Sequence, residues 1–285
     1  MSLRINDIKL PLDHAEAELK KSVLDTLGIT ADELLAVNVY KRAYDARKKS
    51  AICLIYNLDV VLNPDAEKKV LAALAGTGKV LPSPDTTYKF VAKANADFPS
   101  PEQQRPIIIG FGPCGILTAL VLAQMGLKPI VLERGQDVRI RTQDTWGLWR
   151  KSTLNTESNV QFGEGGAGTF SDGKLYSQIK DKFHYGRKVL TEFVKAGAPE
   201  EILYVSKPHI GTFKLVTMVE KMRAEIIALG GEIRFGQRVE KLHIDNGQAV
   251  GVTLASGETL QSRHVVMAIG HSARDTFQML FDAGV

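Results

Sequence analysis

The sequence is short of cysteine, of aromatic residues and of any surplus of one charge. Among 285 residues there are two cysteines, Cys53 and Cys114. Two cannot build the disulfide framework of a small secreted fold. No CxxC or Cys/His spacing offers a redox disulfide or a zinc site. A reducing, cytoplasmic setting is therefore expected, with no metal centre. Lysine and arginine number 36 against 32 acidic residues, a net charge of +4. So small and dispersed a surplus makes nucleic acid an unexpected partner. Hydrophobic residues make up 44% and charged residues 24%, which excludes wholesale disorder. The opening residues MSLRINDIKLPLDH lack the apolar core of a signal peptide, because Asp7 and Lys9 interrupt it.

A long uncharged run occurs once. Ile107 to Met125 carries no charge over 19 residues, the length of a membrane span. Gly110, Gly112, Pro113 and Gly115 break its first half. It begins with three isoleucines, closes at Gly126, and a strand-like run follows from Pro129. A buried strand, turn, helix and second strand explain this pattern better than a span.

Residues 92–105, AKANADFPSPEQQR, interrupt all periodicity and read as a linker. The expected organisation is a small α+β domain over 1–91, the linker, and a dinucleotide-binding domain with part of a substrate domain over 106–285. In the first, strands at Leu3–Leu10, Leu35–Tyr40 and Ser50–Tyr56 alternate with helices at Asp13–Leu27, capped by Asp13, and Asp65–Leu74. Such an order suggests helices on one face of a sheet, a ferredoxin-like plan. Lys41, Arg42, Arg47, Lys48 and Lys49 cluster at its hairpin. They read as a solvated turn, with an RNA- or phosphate-contacting patch as the alternative. Downstream, helices are expected near 184–196 and 213–229, and strands at 232–235, 239–244, 250–254, 259–261 and 265–269.

Three motifs carry chemistry. In RPIIIGFGPCGILTALVLAQMGLKPIVLERG the glycines at 110, 112 and 115 form GxGxxG between a strand and a helix, and a second strand ends at Glu133. That context, more than the glycines, makes the motif a dinucleotide site in a Rossmann-like α/β fold. Gly110 permits the turn, Gly112 lets backbone approach a pyrophosphate, and Gly115 lets helix and strand pack. Glu133 is placed to accept from both hydroxyls of a ribose and would repel a 2′-phosphate. Cys114 reads as a small residue beside the cofactor, with a redox role as the alternative. The second motif, FGEGGAGTFSDGKL over 162–175, is dense in glycine, as backbone approaching a ligand would be. Its Gly168-to-Lys174 stretch imitates a P-loop. Leu175 stands where that loop needs Ser or Thr, and the residues before it are polar, so ATP is not expected. The third is Val265 to His271, a buried strand ending in Gly270.

Together these motifs resemble the FAD-dependent oxidoreductases with a glutathione-reductase-type FAD domain. The likeness is greatest to a group of uncharacterised bacterial FAD-dependent dehydrogenases with a small N-terminal α+β domain. The segments that carry it are Gly110 to Gly115, Gly163 to Leu175, Lys207 to Thr212, and Ala268 to Asp275, where Ile269 replaces the group's Thr. The resemblance implies FAD as cofactor, hydride transfer through flavin N5, and NAD(P)H as a possible electron donor. It would put Gly110, Gly112, Pro113, Gly115, Glu133 and Arg134 at the ADP half, and the backbone of Val239 at the adenine. Gly165, Gly166, Gly168, Thr169, Ser171 and Gly173 would approach the flavin end, with Gly270 along the cofactor. Lys174, His209 and His271 are the catalytic candidates. The rivals are an NAD-dependent dehydrogenase and a non-catalytic, RNA-linked flavin-binding protein. Members of the group continue beyond the point corresponding to Val285, to a Gly-Asp that meets the ribityl chain. Residues 276–285 are therefore expected to form an amphipathic helix with Phe277, Leu280 and Phe281 exposed. That face would await a missing segment or an oligomer contact, and the flavin site would be open on one side.

Overall fold

A computed structural model describes residues 2–74, 76–177 and 179–285. The chain forms two compact units. The first comprises the residues up to Tyr88 together with Leu175–Thr191 and Pro199–His209. The second comprises Lys89–Lys174, Glu192–Ala198 and Ile210–Val285. This differs from the sequence division at 91 and 105, because two later segments group with the N-terminal residues.

The first unit runs β1 (Ser2–Pro11), α1 (Glu16–Leu27), β2 (Leu34–Asp45), β3 (Cys53–Leu62), α2 (Pro64–Ala73) and β4 (Val80–Pro82). The sheet order is β2-β3-β1-β4, with every neighbour antiparallel. This is the ferredoxin-like plan that the sequence suggests. In β3 burial alternates at every residue, since successive side chains point to opposite faces. One face packs Leu3, Ile5, Leu54, Leu58 and Val60 with Val23 and Leu27 of α1 and Val70 of α2. Asn63 caps α2, its side chain accepting from the Ala66 N–H at 2.8 Å. Asp13 does not cap α1: the N-cap is Ala15, with no side-chain bond, and the helix starts three residues later than expected. β2 is longer than expected and bulged, and β3 starts at Cys53 where Ser50 was expected, so residues 46–52 connect them, with a short 3-10 turn at Lys49–Ala51. There Arg47 pairs with Asp45 at 2.6 Å. The later segments join this unit partly through β2, where the Arg42 N–H donates to Tyr204 O and the Ser206 N–H donates to Arg42 O. α5 (Tyr185–Lys195) starts in this unit.

The second unit is doubly wound. Its elements are β5 (Ile107–Ile109), α3 (Pro113–Gln124), β6 (Ile130–Leu132), α4 (Val138–Lys151), α6 (Thr212–Ala228), β7 (Glu232–Arg234), β8 (Val239–Asp245), β9 (Gln248–Leu254), β10 (Thr259–Gln261), β11 (Val265–Met267) and α7 (Arg274–Asp282). The strands β11-β5-β6-β7 form a parallel sheet. Read from β7, the order is third, second, first, fourth, that of a mononucleotide-binding Rossmann half. The meander β10-β9-β8 packs on it through Val239, Leu242, Val252 and Leu254 against Ile107, Ile109 and Leu132. Residues 92–105 are not a loose linker. The Ala94 N–H donates to Met125 O, Phe98 is buried, and Arg105 reaches Lys128 O at 2.6 Å and Glu232 at 2.7 Å. At α7 the expected apolar face divides. Leu280 packs with Met279 against the core, while Phe277 and Phe281 are exposed.

Candidate functional site

An open cleft of about 500 Å³ lies at the carboxyl ends of β5, β6 and β11, where α3 begins. Open α/β sheets bind ligands at this place, the switch point in strand order. Its floor is the GxGxxG turn. Gly110 has φ +97°, and a Cβ there would strike the backbone oxygen of Ala268. A Cβ on Gly115 would strike Gly110 O. Pro113 opens α3 as its first residue, and the first-turn N–H groups have no intrahelical acceptor.

The two glycine motifs interlock. The Gly165 N–H donates to Phe111 O at 2.9 Å. A Cβ on Gly166 would come within 3.0 Å of Pro113 and 3.1 Å of Gly112. The second motif thus lies directly on the first, and backbone of both lines the cleft at Gly112, Gly163, Gly166 and Ala167.

Glu133 ends β6 with its side chain 4% exposed. One carboxylate oxygen accepts from the Phe111 N–H at 2.7 Å, the other from the Gly135 N–H at 2.8 Å. The residue therefore braces the glycine turn as well as lining the cleft. A carboxylate has about four lone-pair sites, so each oxygen keeps capacity for a further donor.

Arg134 also lines the cleft, and its guanidinium binds Glu157 at 2.8 Å and Asp275 at 2.9 Å and lies over the Phe162 ring. It ties the residues before the glycine-rich loop to the start of α7. The hydrogen bond from Arg134 holds the Asp275 carboxyl below the usual range, against the opposing effect of burial.

Of the expected cofactor residues, Gly110, Gly112, Pro113, Glu133, Arg134, Gly166, Val239 and Gly270 line the cleft. Gly115, Gly165, Gly168, Thr169, Ser171 and Gly173 are not in its lining. Thr169 is buried, Ser171 accepts from the Gly173 N–H, and Gly173 packs on Ile210 and Leu215. Among the catalytic candidates, His271 alone lines the cleft. Lys174 is exposed and paired with Asp172 at 2.9 Å. His209 is exposed and falls in the first unit. No strand leads into Gly168, as a P-loop would need: α4 is the nearest helix or strand upstream.

Sequence reasoning missed α4 altogether, and with it Arg141 and Glu164, both fully buried at the loop. It also missed Gln237 and Arg238 at the rim. The pattern VRIRTQDTWGLWRK reads as polar, with its buried positions held by Val138, Arg141 and Thr145. Only Asp137 signalled the helix, and its side chain accepts from the Arg139 and Ile140 N–H groups.

Residues 156–284 match the family model for flavin containing amine oxidoreductases. Within that stretch, less than half of its length, the chain is similar to flavin-dependent oxidoreductases. FAD is the cofactor this similarity supports, and the cleft suits it: side-chain-free backbone, an open helix start and a buried carboxylate meet at one place. Residues 2–61 match a domain of unknown function (DUF8436). An uncharacterized protein of Clostridium beijerinckii is 40% identical over 287 residues, covering 100% of this chain and 52% of that protein. The chain thus spans about half the length of the curated relative it matches. Similar solved structures include the THI4 protein of Thermovibrio ammonificans, at 17% identity over 64% of this chain and 63% of that one, TM-score 0.42. Another is an L-amino acid deaminase from Proteus vulgaris, at 16% identity over 72% and 61%, TM-score 0.42. Among the described residues no helix is long and apolar enough to cross a membrane, and no group of three or more His, Cys, Asp or Glu could hold a metal.

Proposed function

We propose that this chain holds FAD in the cleft at the head of α3 and serves a dehydrogenase acting on a small-molecule substrate. The observation that carries this reading is the interlock of the two glycine motifs over Glu133. An NAD-dependent dehydrogenase needs the first motif but leaves the second unexplained. Bound FAD supplies hydride transfer at flavin N5. The residues of the chain bind and orient it. First-turn N–H groups of α3 would take the pyrophosphate, helped by the positive end of the helix dipole. Glu133 would accept the ribose hydroxyls on its remaining lone pairs. The Val239 backbone would meet the adenine, and Gly270 would run along the cofactor. His271, beside Gly270 in the cleft lining, is the residue placed to hold or move a proton there. NAD(P)H is the proposed electron donor, and an amine is the substrate class that the matched family's description names.

The test is the absorption spectrum of the purified chain, with mass analysis of any small molecule it releases. A flavin spectrum and released FAD are expected. Released NAD would overturn the assignment in favour of the nicotinamide-dependent rival.

A further inference from the structure

We infer that Arg141 is the positioning residue of this cleft, holding the glycine-rich loop in the shape that receives a dinucleotide. The inference rests on the FAD reading above. Arg141 projects from α4 and is 0% exposed. Each of its three nitrogens reaches a carbonyl of one loop: Nε to Asn159 O at 2.7 Å, Nη2 to Val160 O at 2.7 Å, and Nη1 to Glu164 O at 2.6 Å. Among the described residues no carboxylate pairs with it. A buried cation is costly unless its nitrogens find acceptors and opposite charge lies near, and here the charges of Glu133 and Glu164 oppose the effect of burial. Here the planar fork of arginine meets carbonyls that no lysine could bind together. Burial lowers its pKa to about 10, so it stays protonated at neutral pH. The Phe170 ring lies 4.8 Å from the guanidinium.

The stem of the same side chain explains a glycine in the cleft lining. Gly163 has φ +119°, and a Cβ there would strike Arg141 Cδ. The loop is held a second time through Glu164. Its carboxylate accepts from the Val138 N–H at the start of α4, at 2.8 Å, and pairs with Arg223 of α6 at 2.9 Å. Carbonyl oxygens engaged by Arg141 are not turned to the cleft, where they would repel a phosphate. The loop presents glycine backbone there instead, at Gly163 and Gly166.

The experiment titrates FAD into the flavin-free chain and its R141K and R141A variants, with melting temperatures recorded for each. R141K keeps the charge and most of the stem but loses the fork. It is expected to weaken FAD about tenfold or more, and R141A further. Guanidinium added to R141A is expected to restore part of the lost affinity. Wild-type affinity in R141K overturns the inference. So does a folded R141A that guanidinium does not rescue, since that assigns the side chain to general packing. Should R141A fail to fold, R141K carries the test. If the unaltered chain takes up no FAD, the functional reading has failed. Hydrogen exchange of amides 159–166 then decides the positioning role by itself: faster exchange in R141K supports it, and unchanged exchange overturns it.

Discussion

The two units bury different chemistry. Among the described residues, every buried polar or charged side chain falls in the second: Glu133, Arg141, Thr145, Ser158, Asn159, Glu164, Thr169, Glu192, Ser262 and Thr276. The first unit buries apolar side chains under long antiparallel strands, and its alternation is regular enough to read from sequence. The second has three-residue parallel strands and brings together loops whose buried polar groups bind one another around the cleft. Burying polar groups stabilises nothing unless their partners are in place. The contrast is that of a unit built by the hydrophobic effect with one that gives up part of that stabilisation for a shaped site.

The sharpest way to break the comparison is to damage the apolar unit and look for an effect on the cleft. Leu58 in β3 is 0% exposed, so Leu58→Ala is expected to cost about 2–5 kcal/mol of stability. Chemical denaturation measures the cost. FAD affinity at low temperature should stay at the wild-type value, and a matching loss of affinity would show the two units to be energetically one. A smaller effect is expected at Glu133. Glu133→Ala should weaken FAD by about 1–3 kcal/mol, the scale of charge-assisted hydrogen bonds. Glu133→Gln, which keeps one acceptor oxygen, should fall between. Equal titration curves for all three proteins would remove Glu133 from the ribose.

The smallest effect belongs to Asp275. Its folded pKa lies below the unfolded value, through the hydrogen bond from Arg134 first, with burial opposing. Its contribution is therefore present above the ordinary aspartate pKa of about 3.9 and is lost as pH falls through the lower folded value. Asp275 is partly exposed, with 45% of its side chain accessible, so Asp275→Asn should cost about 1 kcal/mol or less near neutrality. The gap between melting scans of the two proteins should shrink as pH falls below about 4 and close only below the lowered folded value. A gap that persists in acid would mean the pair with Arg134 is not its source.

The legibility of each part followed the physics that formed it. Alternating or wholly apolar runs carry their structure in local pattern, so β1, β5 and α3 could be placed from residues alone, whereas β3 runs six residues further than the expected Tyr56. GxGxxG with Glu133 was legible because a tight turn between strand and helix, followed by a strand with a carboxylate at its end, leaves few residue choices. β4 escaped, being three residues long. α4 escaped because its buried face is partly polar: Arg141 looks like surface until the carbonyls it binds are brought to it by the fold. The position of Arg134 was legible, but its partners Glu157 and Asp275, distant in sequence, were not.

By itself the sequence determined a ferredoxin-like unit, a Rossmann-like unit and a dinucleotide turn, since these follow from periodicity and from the freedom of glycine at particular positions. Only the tertiary structure decided that residues 175–191 and 199–209 group with the N-terminal unit, and that the two glycine motifs lie one upon the other. It likewise separated His271, at the cleft, from Lys174 and His209, which do not line it. The physical reason is range. Hydrogen bonds such as Gly165 to Phe111, or Arg141 to Asn159, join residues far apart in the chain, and no local pattern records a partner that folding alone brings near.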